Sequence, residues 1–209
     1  MDVKIRLIKP DDVSEVTEMI HKTIRISNSK DYPEDLIDAM VKAHSEEFIL
    51  RRSGWTHFYV ALDGETIIGC GAIGPYWNSE TESSLFTIFV MPEYQNLGVG
   101  RSIVEILEKD EYYLRADRIE IPASITGVPF YQKMGYRFKN GISEPDEEHV
   151  IRMEKVPKHL KGIEAQLERM NDLLETQVRN QKMNDSMKNI VKEAVKEARD
   201  EENPGKEEA

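Results

Sequence analysis

Residues 90–101 read VMPEYQNLGVGR, which joins the end of an apolar strand, a loop with two glycines and the start of an apolar-periodic helix. Gly98 and Gly100 carry no side chain, so the backbone N–H groups around them can turn toward a single anion. The positive end of the following helix favours negative charge at the same place. The stretch predicts a phosphate-binding loop, although two glycines could also serve only a tight turn between strand and helix.

The loop differs from the phosphate-binding motifs of two large protein classes. No Lys-Ser/Thr pair follows the glycines, as it does in P-loop hydrolases, and the Gly-x-Gly-x-x-Gly pattern of dinucleotide-binding folds is missing. The loop therefore offers no magnesium ligand. It suits a pyrophosphate that is held without being cleaved, as in coenzyme A.

A second segment, residues 130–136, reads FYQKMGY and places the phenol of Tyr131 shortly before a glycine turn at Gly135. A phenol with an ordinary pKa near 10 can donate a proton to a thiolate of similar basicity. In an apolar helix, Tyr131 could equally be a core aromatic residue whose hydroxyl finds a partner.

The rest of the first three quarters of the chain predicts a central sheet with helices on its faces. Apolar periodicity and turn residues predict strands at 3–8, 57–62, 66–73, 84–90, 118–121, 136–139 and 148–154, and helices at 11–24, 33–49, 103–107 and 128–134. The strand at 84–90 is nearly all apolar, which is typical of a strand buried on both faces. The resulting order, β-α-α-β-β-β-α-β-α-β-β, predicts an α/β sandwich of three layers.

With these two motifs, residues 1–156 resemble the GNAT N-acetyltransferase superfamily, whose element order they follow. The resemblance implies a GNAT-type three-layer α/β/α sandwich with a mixed central sheet, and acetyl-CoA as the cofactor, its pyrophosphate held by the Gln-x-x-Gly-x-Gly loop. The residues to which it assigns contact with coenzyme A are Ile88, Phe89, Val90, Gln95, Asn96, Leu97, Gly98, Val99, Gly100, Arg101, Ser124 and Tyr131.

The resemblance also assigns the catalytic groups. Tyr131 matches the tyrosine of the Phe-Tyr-x-Lys-x-Gly motif, which commonly protonates the departing thiolate. Glu82 stands just before the strand at 84–90, where many family members place an acidic general base, and Glu80 and Glu120 are rival candidates. Ser124 replaces an asparagine that is often found seven residues before the tyrosine. Backbone N–H groups of the strand, Val90 among them, would polarise the thioester carbonyl.

The charge of the chain restricts its partners. Lys and Arg total 28 against 39 Asp and Glu, a net charge of −11, which argues against nucleic acid or an anionic membrane as the main partner. An acidic surface would attract a cationic acceptor such as a polyamine, an aminoglycoside-like amine or a lysine side chain. The same count disfavours phosphosugars, because their recognition requires clustered basic residues.

The single cysteine, Cys70, cannot form an intrachain disulfide, so a reducing compartment is expected. Neither a signal-peptide pattern at the first residues nor an apolar run of about 20 residues is present, and we expect a cytoplasmic protein. The five histidines show no paired ligand spacing, so we expect no metal site.

Residues 157–209 lie outside the resemblance and predict a helical, coiled-coil-like extension. Its heptad positions are Leu160, Ile163, Leu167, Met170 and Leu174, and Met183, Met187, Ile190, Ala194 and Ala198 resume the pattern in another phase. Polar residues at 180–189 could bend or break the helix, and 206–209 should be disordered. We expect the apolar stripe to form a homo-oligomer, with folding back on the domain or docking of a partner protein as alternatives.

Two functions fit this sequence. One is an acetyl-CoA-dependent N-acetyltransferase in which a primary amine attacks directly within a ternary complex. The alternative is a catalytically weak or inactive coenzyme A-binding or scaffold protein that acts through its helical tail. The glycine loop and the phenol of Tyr131 favour the enzyme, because a binding module would have less use for a proton donor.

Overall fold

The computed structural model describes residues 3–157 and, beyond them, residues 167, 169–179, 181–183, 185–186, 188 and 192. The chain divides into two units, Met1–Pro157 and Lys158–Ala209.

The first unit alternates strands and helices. Its elements are β1 (Val3–Leu7), α1 (Val13–Ser27), α2 (Glu34–Ala43), α3 (Glu46–Ser53), β2 (His57–Asp63), β3 (Thr66–Pro75), β4 (Glu82–Val90), α4 (Val99–Leu107), α5 (Glu111–Leu114), β5 (Arg118–Ala123), α6 (Val128–Lys133), β6 (Arg137–Phe138) and β7 (Ile151–Lys155).

The strands form one mixed sheet in the order β1-β2-β3-β4-β5-β7-β6. Every neighbouring pair is antiparallel except β4 and β5, which run parallel. These two strands pair only at their beginnings, where Glu82, Ser83 and Ser84 face Arg118, Ile119 and Glu120. Beyond Ser84 the sheet is open between β4 and β5, and this gap lies at its centre.

Two hydrophobic clusters cover the two faces of the sheet. One cluster contains the buried side chains of α1, α2 and α3, and the other those of α4, α5 and α6. Helix α4 packs closely on β3, and Gly71 makes this possible. A Cβ added at Gly71 would lie only 2.6 Å from Cγ2 of Ile103. The mixed sheet between two helical layers confirms the predicted α/β/α sandwich.

Three local predictions were wrong. The helix predicted at 33–49 is two helices, since His44 leaves helical geometry and Ser45 caps α3 by accepting a hydrogen bond from the N–H of Phe48 at 3.2 Å. Helix α5 was missed; the side chain of Asp110 caps it. The last strand begins at Ile151, three residues after the predicted start at 148. Asp146 holds the preceding residues in a turn, because its carboxylate accepts from the N–H groups of Glu148 and Val150.

In the second unit, residues 169–179 and 181–183 are helical, as are the isolated described positions after them. The described heptad residues are Leu167, Met170, Leu174 and Met183, and they are about half exposed or more, at 48, 53, 53 and 61 %. The other predicted heptad positions (Leu160, Ile163, Met187, Ile190, Ala194 and Ala198) lie outside the described residues, as do Asn180, Asn184 and Asn189 of the predicted break and the predicted disordered end at 206–209.

None of the helices in the described part of the chain has the length and apolar character that crossing a membrane requires.

Candidate active site

The gap between β4 and β5 opens into a cleft of about 510 Å³. Its walls come from the end of β4, the glycine loop, the first turn of α4, the connection from β5 to α6, and the C-terminal part of α1. Of the residues predicted to contact coenzyme A, it is lined by Ile88, Phe89, Val90, Gln95, Asn96, Gly98, Gly100, Arg101, Ser124 and Tyr131.

Leu97 and Val99 do not line the cleft. The side chain of Leu97 is 60 % exposed, while Val99, the first residue of α4, is 1 % exposed and packs in the hydrophobic core. Both flank Gly98, so only their backbone could contribute to anion binding. The glycine loop and the Tyr131 segment, which are thirty residues apart in sequence, meet across the same cleft.

The cleft is basic although the chain is acidic. The charged residues among its described lining are Arg101, from the first turn of α4, and Lys133, from the end of α6. No aspartate, glutamate or histidine is among these lining residues. The local charge therefore favours an anionic ligand, opposite to the sign of the net charge of −11.

The glycine loop adopts two left-handed backbone conformations in close succession. Asn96 has φ = 62° and Gly98, the N-cap of α4, has φ = 91°. No side chain caps the helix, so its first N–H groups are left for a ligand at the cleft. A Cβ at Gly100 would lie 3.3 Å from the ring of Phe130, so this glycine allows α4 and α6 to approach each other.

The side chain of Gln95 braces the loop. Its amide nitrogen donates to Oγ of Ser27 at 2.8 Å and to the carbonyl of Val90 at 3.0 Å. These bonds tie the loop both to the end of α1 and to the end of β4. Gln95 thus fixes the position of the backbone N–H groups that follow it.

Strand β4 carries a bulge that the sequence did not reveal. The pairing with β3 shifts between Cys70 and Ala72, and Thr87 on β4 has φ = 52°. This conformation is rare for a β-branched residue and costs about 1–3 kcal/mol. The thiol of Cys70 donates to the carbonyl of Thr87 at 3.2 Å. The bulge lies directly before Ile88 and Phe89, the first strand residues that line the cleft.

The bulge also explains the burial of β4. Ser83, Ser84 and Leu85 are buried, but residues 86–90 are only partly so. The prediction of a strand buried on both faces therefore holds only before the bulge. After it, the strand faces the open gap.

Tyr131 reaches the cleft from α6 and is 7 % exposed. Burial, with a smaller contribution from nearby Cys70, raises the pKa of its hydroxyl above the ordinary value. The phenol therefore stays protonated, although burial also makes it a weaker acid. Gly127 makes room for its ring, since a Cβ there would lie 3.1 Å from Cε2 of Tyr131. The hydroxyl of Ser124, at the same end of the cleft, accepts a hydrogen bond from the N–H of Gly127 at 3.2 Å.

The candidate bases are not in the cleft lining. Arg118 binds both carboxylate oxygens of Glu82, through Nε–Oε1 at 3.0 Å and Nη2–Oε2 at 2.8 Å, and this hydrogen bonding lowers the pKa of Glu82. Glu80 lies in the exposed turn before β4. Glu120 is 1 % exposed. The structure therefore does not bring Glu82, Glu80 or Glu120 together with Tyr131.

Glu120 belongs to an ion-pair cluster at the closed end of the gap. Its Oε2 accepts from Arg118 at 2.8 Å and from Lys139 at 2.6 Å. Burial alone would raise the pKa of Glu120, but these hydrogen bonds bring it below the ordinary value. A carboxylate that is ionised and paired in this way is a weak proton acceptor.

Comparison with known proteins gives one sequence match and many structural ones. Residues 54–138 match the family described as the acetyltransferase (GNAT) domain. No protein in the curated set matches the sequence.

The solved structures that resemble this chain include acetyltransferases from several microorganisms. PaiA N-acetyltransferase of Thermoplasma acidophilum, solved in complex with coenzyme A, superposes with a TM-score of 0.64 at 20 % identity over 75 % of this chain and 99 % of its own. A GCN5-related N-acetyltransferase of Rhodopseudomonas palustris gives 0.62 at 21 % identity over 75 % and 96 % of the two chains. A GNAT acetyltransferase of Staphylococcus aureus gives 0.57 at 16 % identity over 75 % and 100 %.

At such identities the structural likeness establishes the fold, and the sequence match covers the part of the chain that carries the glycine loop and Tyr131. Both features meet in the cleft between β4 and β5. Residues 54–138 are therefore similar in sequence to the GNAT acetyltransferase domain, and the first unit has the fold of the solved GNAT acetyltransferases.

Proposed function

We propose that this protein transfers an acetyl group from acetyl-CoA to a primary amine. The observation that carries the proposal is the cleft between β4 and β5, where a glycine loop at a helix N-terminus and two basic side chains face a protonated phenol. The family match supports acyl transfer, and the reaction proposed is direct attack of the amine within a ternary complex.

The residues present fit coenzyme A. Its diphosphate requires N–H donors and positive charge, which the loop at Gly98, the start of α4, Arg101 and Lys133 supply. The volume of about 510 Å³ is within the range of small-molecule and cofactor sites. A structural neighbour with the same fold was solved in complex with coenzyme A.

Acetyl-CoA supplies an activated acetyl thioester when bound. The open edge of β4 after the bulge offers backbone N–H groups that can hold the carbonyl oxygen of the ligand as it gains negative charge. In the transfer, a bond would form between the amine nitrogen and the acetyl carbon as the carbon–sulfur bond breaks. The hydroxyl of Tyr131 would give its proton to the leaving sulfur and regain one from water, and water would take up the proton that the amine loses.

The amine must be neutral when it attacks, and no carboxylate or histidine is among the described lining residues. Glu82, the base predicted from sequence, is held by Arg118 outside that lining. Water in the open cleft is the proton acceptor most compatible with this arrangement. This predicts that turnover rises with pH as more of the amine becomes neutral.

Tyr131→Phe tests the catalytic assignment. The variant removes one oxygen and keeps the ring, so we expect coenzyme A affinity and thermal stability close to the wild type and turnover lowered about 100-fold. Thiol release from acetyl-CoA with a panel of amines measures turnover, and titration calorimetry measures affinity. Unchanged turnover would remove Tyr131 from the reaction.

The alternative is a coenzyme A-binding or scaffold protein without turnover. Both functions predict heat from coenzyme A in the calorimeter, but only the enzyme releases thiol faster with an amine than without one. Binding without amine-dependent release would favour the scaffold. The absence of any heat would contradict both.

A further inference from the structure

Among the described residues, Arg52 at the C-terminal end of α3 is a cation without a counterion. Its guanidinium carbon lies 4.4 Å from the ring centre of Phe86, 4.9 Å from that of Phe48 and 5.0 Å from that of Trp55. Within the described part of the chain, the guanidinium makes no ion pair, and its Nη1 is buried without a hydrogen-bond partner. Stacking on three rings attracts the cation but offers no acceptor for its N–H groups.

The surroundings of Arg52 are positively charged. Burial and, to a smaller extent, the charge of neighbouring Arg51 lower the pKa of Arg52 to about 10. The pKa of His44 is lowered mainly by burial and, to a smaller extent, by the charge of nearby Arg52. Glu47, the carboxylate beside this group, lies 4.0 Å from Arg51. This is a local excess of positive charge on a chain of net charge −11.

The three rings place Arg52 beside the candidate active site. Phe86 directly precedes the bulge at Thr87, and Thr87 alone separates it from Ile88, which lines the cleft. Two residue steps span at most about 7 Å. The ring of Phe89, another lining residue, lies 5.3 Å from that of His44. The helical layer that carries Arg52 therefore borders the gap between β4 and β5.

We propose that Arg52, framed by Phe48, Trp55 and Phe86, binds a carboxylate of the acceptor. The acceptor is then an amine that also carries a carboxylate, held with the carboxylate at Arg52 and the amine toward the cleft. A planar guanidinium can bind a carboxylate through two parallel hydrogen bonds. Nη1 of Arg52 is enclosed by the protein, but Nε and Nη2 are not buried and have no partner among the described residues, so this edge of the guanidinium is available. This inference rests on the proposed acetyl transfer for the identity of the ligand, and it replaces the purely cationic acceptor expected from the net charge.

Benzoate tests the anion site without any turnover. The chain has two tryptophans, Trp55 and Trp77, so in a Trp77→Phe background the fluorescence reports Trp55. We expect benzoate to change this fluorescence saturably and uncharged benzamide to leave it unchanged. Arg52→Gln should weaken the benzoate response at least tenfold. An equal response to benzamide, or an unchanged response in Arg52→Gln, would overturn the proposal.

Arg51→Gln is the matched control, because Arg51 is the adjacent arginine and its side chain is 67 % exposed. It should keep the benzoate response within about threefold. Arg52→Lys keeps the charge but loses the planar fork, so it should respond more weakly than the wild type. Melting temperatures of all variants show whether they are folded. If Arg52→Gln is unfolded, a wild-type response by Arg52→Lys overturns the proposal and a weakened one supports it.

Turnover then tests the acceptor class. We expect 6-aminohexanoate to be acetylated with a KM at least tenfold below that of hexylamine, and Arg52→Gln to remove this difference by raising the KM for 6-aminohexanoate alone. Equal KM values in the wild type would overturn the proposal. A saturable benzoate response without heat from coenzyme A would refute the acetyl transfer and leave the anion site standing, whereas heat from coenzyme A without a benzoate response would refute the anion site alone.

Discussion

Replacing Gly98 with alanine tests whether this glycine serves anion binding or only a tight turn between strand and helix. Gly98 has φ = 91°, and a Cβ added there would meet nothing within 4 Å. The substitution therefore creates no clash, and its cost is conformational. A non-glycine residue in the left-handed region costs roughly 1–2 kcal/mol.

This cost has two measurable consequences. In a domain of this size, 1–2 kcal/mol lowers the melting temperature by about 2–8 °C. If the backbone relieves the strain by moving, the N–H groups at the start of α4 move away from the ligand. Loss of one hydrogen bond to a charged group is worth about 1.5–3 kcal/mol, so the dissociation constant of coenzyme A should rise tenfold or more.

Gly64→Ala is the control for this prediction. Gly64 has φ = 62°, its Cβ would also meet nothing within 4 Å, and it lies in the turn between β2 and β3, outside the cleft lining. Differential scanning fluorimetry should show similar losses of stability for both variants, while calorimetry should show weakened coenzyme A binding only for Gly98→Ala. Equal affinities in the two variants would refute the assignment of the loop.

The remaining predictions concern the acidic residues and the tail. Glu82→Gln should lower the melting temperature by a few degrees and change turnover less than threefold, because the structure places Glu82 against Arg118; a loss of about 100-fold would instead establish it as the general base. Glu120→Gln should cost about 1–3 kcal/mol at pH 7, because Lys139 loses its carboxylate partner among the described residues, while Arg118 keeps its pair with Glu82. Because the folded-state pKa of Glu120 is lowered, its contribution is present above the unfolded pKa of about 4.3 and is lost as the pH falls, so urea titrations should show the difference from the wild type shrinking between pH 6 and pH 3. Deleting residues 158–209 should reduce the number of chains per particle, which is the light-scattering mass divided by the mass of one chain, because the heptad pattern predicts that the tail joins copies of the chain; an unchanged number would contradict this.

Much of the fold could be predicted because its signals are local. The Asp63-Gly64 turn and the alternation around it predicted the β2–β3 hairpin, and Pro10 predicted the end of β1. The break between α2 and α3 was missed although Ser45 is a typical N-cap residue. The continuous apolar periodicity across 33–49 outweighed that signal.

The bulge at Thr87 could not be predicted in the same way. Threonine favours extended strands, and nothing near it in sequence indicates a left-handed conformation. The bulge depends on the register between β3 and β4 and on the bond from the thiol of Cys70, seventeen residues away. Tertiary contacts therefore determine this part of the site.

The predicted cofactor residues depend on local sequence, whereas the predicted base depends on tertiary contacts. A loop that binds with its backbone is contiguous in sequence, so its glycines identify it. A catalytic carboxylate depends on its neighbours, and the neighbour of Glu82 is Arg118, brought to it by the parallel pairing of β4 and β5. The position of Glu82 just before a strand suggested a general base. The sequence could not show that its carboxylate is already paired with Arg118.

Net charge was a poor guide to the site for a related physical reason. The potential of all 39 carboxylates acts at long range and is screened by salt within about 10 Å. A ligand in the cleft instead meets the few groups that face it, which are Arg101 and Lys133 at the loop end, with Arg52 on the adjoining helical layer. An acidic surface can therefore raise the local concentration of an amine, while the basic groups inside select the anions that must be held, the diphosphate and, as proposed, the carboxylate of the acceptor. This division predicts that added salt should lower kcat/KM for hexylamine more than it weakens benzoate binding at Arg52.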